Sequence, residues 1–295
     1  METNLSGPGW VCLWPLACEL GEGPIWDPAR QSLWFVDIEA PAVHRLDPVS
    51  GERFSWTPPC RIGSIALRRG GGMIAGTENG FALVDPEAGT FTPIGRPEPE
   101  LPSNRFNDGK VDPAGRFWAG TMDDHKFKRQ GSLYRLDPGL GWHRVDTDYR
   151  ITNGPAFSPD GTILYHNDTI DRITYAFDVA RDGTLSGKRI FMAWPPGVGN
   201  PDGLTTDVEG CLWQAFWGGG CVRRVSPAGA VVAEHRLPAS AVSSCTFGGA
   251  QYERLFVTTA RQTLDVDTLA AEPLSGGLFE IFPGVRGLPG GLFAG

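Results

Sequence analysis

The 295-residue sequence lacks the features expected of membrane and nucleic-acid-binding proteins. No stretch approaches the ~20 consecutive apolar residues that a membrane helix needs. Lys and Arg total 26 against 34 Asp and Glu, a net charge of −8, and an acidic chain is poorly suited to a nucleic-acid surface. The first residues contain neither a basic segment nor an apolar run, so we expect no secretory signal peptide. These absences predict a cytoplasmic protein without membrane or nucleic-acid partners.

The sequence also lacks the common catalytic motifs. It has no G-x-S-x-G nucleophile elbow and no P-loop. Its five histidines show neither H-x-x-x-H nor H-x-H spacing. The segment Gly21-Glu22-Gly23 lacks the third glycine of a dinucleotide fingerprint. These absences argue against serine-hydrolase, nucleotide-binding and histidine-based metal sites.

Cysteine pairing motifs are missing as well. No cysteine belongs to a C-x-x-C pair, and most lie in apolar, strand-like runs. The pattern is typical of buried free thiols in a reducing compartment, with disulfides left open by the sequence alone. The six cysteines are Cys12, Cys18, Cys60, Cys211, Cys221 and Cys245.

No window shows a sustained apolar period of 3.6 residues, which argues against long helices. Glycine and proline are abundant instead, at 40 and 25 residues. Proline presets φ and glycine supplies positive φ in tight turns, so this composition favours many short strands joined by turns.

One pattern recurs six times along the chain. A polar or small residue precedes a short apolar strand, a tight turn, and a second strand rich in aromatic and β-branched residues. A strand-only repeat of about 40–50 residues is the signature of a β-propeller. The copies begin at Glu22, Ile62, Asn107, Asn153, Asp202 and Ser243.

The last repeat is one strand short, whereas the N-terminal run Trp10–Trp14 has no partner in the first repeat. We predict that this run completes the sixth blade and closes the ring, which removes open strand edges. The predicted fold is therefore all-β: a six-bladed β-propeller with four antiparallel strands per blade, in a single domain spanning residues 1–295.

The first residues of the repeats form a candidate metal site. First strands line the central channel of a propeller, so these side chains meet at its mouth. Ionised carboxylates buried together without a partner are costly, and a bound cation is the simplest compensation. Glu22, Asn153 and Asp202 offer the hard oxygen donors that suit Ca²⁺, Mg²⁺ or Mn²⁺. Three protein ligands leave coordination positions open for water and substrate.

An alternative interpretation is that Asn153-Gly154 and Asp202-Gly203 are turns, because Asn-Gly and Asp-Gly are common turn dipeptides. Their recurrence at equivalent places in the repeats favours the metal site, since each hairpin already has its own turn further on.

Several segments resemble the family of senescence marker protein (regucalcin), gluconolactonase and luciferin-regenerating enzyme. The resemblance covers nearly the whole chain. It implies a six-bladed propeller, one divalent metal, and hydrolysis of sugar-acid lactones. The family's metal ligands correspond to Glu22, Asn153 and Asp202, and its substrate-binding arginine and asparagine to Arg105 and Asn107. The matching segments are 20–24 (LGEGP), 105–116 (RFNDGKVDPAGR), 119–122 (AGTM), 151–155 (ITNGP), 201–203 (PDG) and 247–249 (FGG).

One loop departs from the family pattern. Animal members use an acidic residue after the Gly-Thr-Met stretch to bind substrate. Alignment places His125 at that position, with Asp123 and Asp124 just before it, and the loop is shorter here. The sequence therefore leaves this substrate contact, and the exact sugar, open.

We hypothesise metal-assisted hydrolysis of an aldonolactone to the aldonic acid. Asp202 acts as the general base, with Asp108 as a second candidate, while Arg105 and Asn107 bind the sugar hydroxyls. The cofactor is one divalent cation (Ca²⁺, Mg²⁺, Mn²⁺, Zn²⁺ or Fe²⁺), the partner a small sugar lactone, and the protein a monomer or weak oligomer. Two alternatives are a non-catalytic calcium- or ligand-binding propeller and a related hydrolase of esters or organophosphates.

Overall fold

The computed structural model describes residues 5–126 and 128–295, which form six antiparallel sheets. Among these residues, no helix is long and apolar enough to cross a membrane. In chain order the elements are β1 (Ser6–Gly7), β2 (Trp10–Trp14), β3 (Gly21–Asp27), β4 (Ser32–Asp37), β5 (Ala42–Leu46), β6 (Arg53–Trp56), β7 (Ile62–Leu67), β8 (Met73–Thr77), β9 (Gly80–Asp85), β10 (Thr90–Gly95), β11 (Asn104–Val111), β12 (Phe117–Asp123), β13 (Gly131–Leu136), β14 (Trp142–Tyr149), β15 (Thr152–Phe157), β16 (Ile163–Asp168), β17 (Ile173–Val179), β18 (Leu185–Ala193), β19 (Asn200–Thr206), β20 (Leu212–Trp217), β21 (Cys221–Val225), β22 (Val231–Arg236), β23 (Val242–Gly248), β24 (Arg254–Thr259), α1 (Val266–Ala271) and β25 (Leu278–Ile281).

The sheets are the blades of a six-bladed β-propeller, as predicted. Five blades each use four consecutive strands, from β3–β6 to β19–β22. The sixth blade joins β23–β25 to β2, which pairs antiparallel with β25 so that Trp10 lies opposite Ile281. The N-terminal strand therefore closes the ring, and β1 extends the edge of this blade.

Burial decreases from the inner to the outer strands. All residues of β4 are buried, whereas most of β18 is exposed. Trp34, Trp118 and Trp213 occupy equivalent places on second strands and are at most 2% exposed. The Trp118 and Trp213 indoles each donate to an aspartate of the preceding turn, Asp112 at 2.8 Å and Asp207 at 2.9 Å. In these two blades the same carboxylate satisfies a buried indole N–H and fixes the hairpin, whereas the indole N–H of Trp34 finds no partner among the described residues.

The first strand of every blade lies innermost and packs against the first strands of neighbouring blades. The six strands therefore surround one channel. Their N-terminal ends meet at one mouth of this channel and their C-terminal ends at the other.

The segment 284–295 crosses the second mouth of the channel. Phe293 is fully buried in a core cluster, and its backbone pairs with the second blade: Phe293 N–H donates to Leu67 at 2.8 Å, and Arg69 N–H donates to Phe293 at 2.9 Å. Gly287 bridges to Asp207 on the fifth blade. The segment consequently ties together blades that are distant in sequence.

Helix α1 departs from the expectations drawn from the sequence, whereas the cysteines agree with them. Helix α1 was not predicted, because six residues are too few to show a helical period. It begins after Asp265, whose side chain accepts a hydrogen bond from Thr268 N–H at 2.8 Å. All six cysteines are buried free thiols, as expected.

Candidate active site

A cavity of about 220 Å³ lies at the mouth formed by the N-terminal ends of the innermost strands. Glu22, Asn107, Asn153 and Asp202 line it from four different blades, together with Arg105. Each of these side chains is at most 6% exposed. The structure thus brings all five sequence-predicted site residues to one cavity, although Glu22 and Asp202 lie 180 positions apart in the chain (202 − 22).

Two of the aligned repeat residues do not line the cavity. Ile62 is an apolar core residue of the second blade. Ser243 is fully buried, and its hydroxyl donates to the Gly21 carbonyl oxygen. The polar ring is therefore confined to four blades.

Each innermost strand is irregular at the level of the site. The register between first and second strand shifts in all six blades, as in a β-bulge, and bulges near active sites redirect side chains. The shifts lie between Glu22 and Ile25, Ile62 and Ser64, Phe106 and Gly109, Asn153 and Ala156, Pro201 and Leu204, and Val242 and Ser244.

A hydrogen-bond chain fixes the two amides. Arg105 Nη1 donates to Asn107 Oδ1 at 2.8 Å, and Asn107 Nδ2 donates to Asn153 Oδ1 at 2.9 Å. Asn153 Nδ2 in turn donates to Thr169 Oγ1 at 2.8 Å. An amide oxygen has two lone pairs, so Asn153 Oδ1 keeps one for another partner.

The two carboxylates of the cavity resist ionisation. Burial, followed by the charge of Asp108, raises the pKa of Glu22 to about 8. Burial and the charges of Glu22 and Asp108 also raise the pKa of Asp202 well above its usual range. A site in which neighbouring carboxylates disfavour each other's charge is one that a cation would stabilise.

The donor set fits a hard divalent cation, because two carboxylates and one amide oxygen are an all-oxygen set. Within residues 5–126 and 128–295, no group of three or more His, Cys, Asp or Glu side chains is arranged for a metal. A metal centre here would therefore depend on the amide oxygen of Asn153 as its third donor.

Asp108 lies next to the site but outside the cavity wall. Its carboxylate accepts from Gly109 N–H at 2.7 Å and from Gly154 N–H at 2.9 Å. Burial raises its pKa. These contacts connect the bulge of β11 to that of β15, so Asp108 positions the strand that carries Asn153.

Sequence reasoning pointed to the loop after β12 but left the role of Asp124 open and did not single out Lys126. Arg105 Nε donates to Asp124 Oδ1 at 2.7 Å, and Arg61 Nη2 donates to Asp124 Oδ2 at 2.7 Å. His125 is exposed and lies outside the cavity wall, whereas Lys126 lines it. Asp124 therefore orients the predicted substrate-binding arginine. The Asp-Asp-His run in the sequence pointed to this loop without showing which side chains turn inward.

The fold and site define the chain as a propeller with a polar cavity at the channel mouth. The chain belongs to the SMP-30/Gluconolactonase/LRE-like family, whose model matches residues 20–261.

Individual relatives match almost the whole chain. It is 36% identical over 277 residues to 6-deoxy-6-sulfogluconolactonase of Pseudomonas putida, which covers 94% of this chain and 95% of that protein. It is 38% identical over 280 residues to regucalcin of Bos taurus, covering 92% and 94%. Among solved structures, a calcium-binding protein, regucalcin from Agrobacterium tumefaciens, matches with a TM-score of 0.92 at 31% identity over 97% of each chain.

Proposed function

We propose that the protein hydrolyses a sugar-acid lactone to the aldonic acid with one divalent cation held by Glu22, Asn153 and Asp202. The observation that carries the proposal is the meeting of three oxygen donors from three blades in one cavity, beside Arg105 and Asn107. One relative is named as a sulfogluconolactonase and one structural neighbour as a calcium-binding protein, and both names agree with the proposal.

The cavity suits one small ring. Its volume of about 220 Å³ is below the ~300–1,000 Å³ of pockets for drug-sized ligands. Met122, Ile151 and Trp217 add apolar surface to the polar lining. A sugar lactone has an apolar ring face and several hydroxyls, which matches this mixed lining.

The residues divide the reaction as follows. Asp202 accepts a proton from the attacking water and returns it to the ring oxygen when the ester bond breaks. Arg105 and Asn107 hydrogen-bond the sugar hydroxyls and thereby orient the lactone so that its carbonyl carbon faces the attacking water. The cation, when bound, would polarise the lactone carbonyl and stabilise the charge that develops on its oxygen.

The test is turnover of a lactone panel by protein loaded separately with Ca²⁺, Mg²⁺, Mn²⁺, Zn²⁺ or Fe²⁺, read with a pH indicator. Asp202→Ala should lower kcat by about 10²-fold or more and weaken metal binding measured by calorimetry. Asp182→Ala, in an exposed turn, is the matched control. Full turnover in Asp202→Ala, or in chelator-treated protein, would reject the proposal.

The second candidate function is calcium binding without catalysis, which the name of the regucalcin neighbour favours. It predicts metal binding at the same three residues and no turnover of any lactone, aryl ester or organophosphate. Arg105 and Asn107 favour the lactonase, because a cation buffer needs no buried hydroxyl-binding pair beside its ligands.

A further inference from the structure

Lys126 is a cation of the cavity that the proposed reaction does not use. It lines the same cavity as Arg105 and Asp202. Its backbone N–H donates to Asp123 at 2.8 Å. Among residues 5–126 and 128–295, its ammonium group makes no hydrogen bond and no ion pair within 4 Å. A lysine ammonium has three donors, and all three are free to meet a ligand.

The position of Lys126 is unfavourable for a lysine without a ligand. Burial lowers the pKa of its ammonium, and the charge of Arg105 lowers it further. Its backbone is left-handed, with φ +63°, a conformation that costs a non-glycine residue ~1 kcal/mol or more. Strained residues held in a cleft are a reason to look for a functional role.

Three carboxylates, Glu39, Asp124 and Asp202, attract Lys126 through space without pairing with it. Asp124 accepts hydrogen bonds from Arg61 and Arg105, and Glu39 pairs with Arg61. Asp202 lines the same cavity but makes no ion pair with Lys126 within 4 Å. A lysine placed only to neutralise these groups would contact one of them. Lys126 instead presents its charge to the cavity.

We infer that Lys126 is a specificity-determining residue that binds an anionic substituent of the lactone, such as a sulfonate, phosphate or carboxylate. The inference rests on the proposed function, since it assigns the residue that binds a third group of the same substrate, beside its carbonyl and its hydroxyls. The ester carbonyl faces Glu22, Asn153 and Asp202, and the hydroxyls face Arg105 and Asn107. The anionic group then occupies the remaining wall, at a ring position remote from the carbonyl. A compact ammonium recognises such an oxyanion as a point charge.

The experiment compares metal-loaded protein on glucono-1,5-lactone and on its 6-phosphate, which differ only in the anionic group. The wild type should have the higher kcat/KM on the phosphate. Lys126→Gln should reduce the ratio of the two kcat/KM values by about tenfold or more, chiefly through KM, because a charge-assisted hydrogen bond is lost. Lys126→Arg, which retains the charge, should keep most of the ratio. Lys128→Gln is the matched control, because Lys128 lies on the same loop but is exposed.

Calorimetric binding of gluconate and 6-phosphogluconate to the metal-loaded protein tests the inference independently of turnover. The inference is overturned if Lys126→Gln leaves the ratio of the two kcat/KM values, or of the two binding affinities, unchanged. An equal loss on both ligands is one such result, and it would mean a structural role for Lys126. An equal loss in Lys128→Gln would assign the effect to general charge steering and also overturn it. If the protein hydrolyses neither lactone but still binds 6-phosphogluconate more tightly than gluconate, the proposed function is rejected and the anion site at Lys126 is retained.

Discussion

At the scale of single residues, His166 is a buried side chain with an unusual environment. It lies on β16, is fully buried, and neither ring nitrogen finds a hydrogen-bond partner among the described residues. The ring of Tyr149 packs edge-on against it, with 4.8 Å between ring centroids. Burial lowers the pKa of His166 to about 3. The folded protein therefore holds this imidazole neutral.

His166 should make the protein acid-sensitive. The unfolded chain protonates this residue near pH ~6.5, whereas the folded protein protonates it near 3. Between these values the unfolded state binds one more proton, so stability falls as pH decreases, by at most ~1.4 kcal/mol per pH unit. From pH 7.5 to 5.0, His166→Leu should lose less stability in urea titrations than wild type, by about 2 kcal/mol. Exposed His125→Leu is the control, and an equal loss in His166→Leu and wild type would contradict the assignment.

The candidate site also shows which residues a sequence can predict. Glu22, Asn153 and Asp202 occupy equivalent places in repeats, and the symmetry of a propeller brings such places together. Asp124 and Lys126 come from a loop whose shape depends on contacts with Arg61 and Arg105. No local pattern encodes those contacts, so the sequence named Asp124 without its role and did not single out Lys126. The roles of the site residues stay predictions.

At the scale of strands, hydrophobic patterning predicted the blades and the pairing of β2 with the sixth blade. It did not predict the bulges of the innermost strands, because an extra residue in one strand leaves the local composition unchanged. Yet the bulges decide which side chains face the cavity. Gly154 is the clearest case, with φ +82° and its N–H bonded to Asp108.

Gly154→Ala tests the bulge of β15. A Cβ on Gly154 would lie 3.1 Å from Leu204 Cδ2 and would hold a left-handed backbone. We expect a loss of stability of about 1–2 kcal/mol and weaker cation binding, because Asn153 shifts. Gly139→Ala, whose Cβ would meet nothing within 4 Å, is the control. Unchanged thermal stability and unchanged calorimetric metal affinity in Gly154→Ala would show that the bulge tolerates a side chain.

At the scale of the whole molecule, the ring is held by contacts between distant parts of the chain. Strand β2 completes the sixth blade, and the segment 284–295 joins the fifth blade to the second and third. The repeat pattern predicted the connection through β2, because the last repeat lacked a strand. It did not predict the connection through the segment 284–295, because this segment lies outside the repeats. Both connections favour unfolding of the ring as one unit, and the assignment of residues 1–295 to a single domain stays a prediction.

Phe293→Ala tests this second connection. Phe293 is fully buried against a core cluster that includes Phe106, Phe117 and Tyr134, and truncation of a buried phenylalanine costs about 3–5 kcal/mol. Its contacts lie at the channel mouth opposite the candidate active site, so the melting temperature should fall while lactone turnover at low temperature persists. Phe282→Ala, at 65% exposure, should leave the melting temperature nearly unchanged. If Phe293→Ala melts like the wild type by calorimetry, the segment 284–295 does not stabilise the ring.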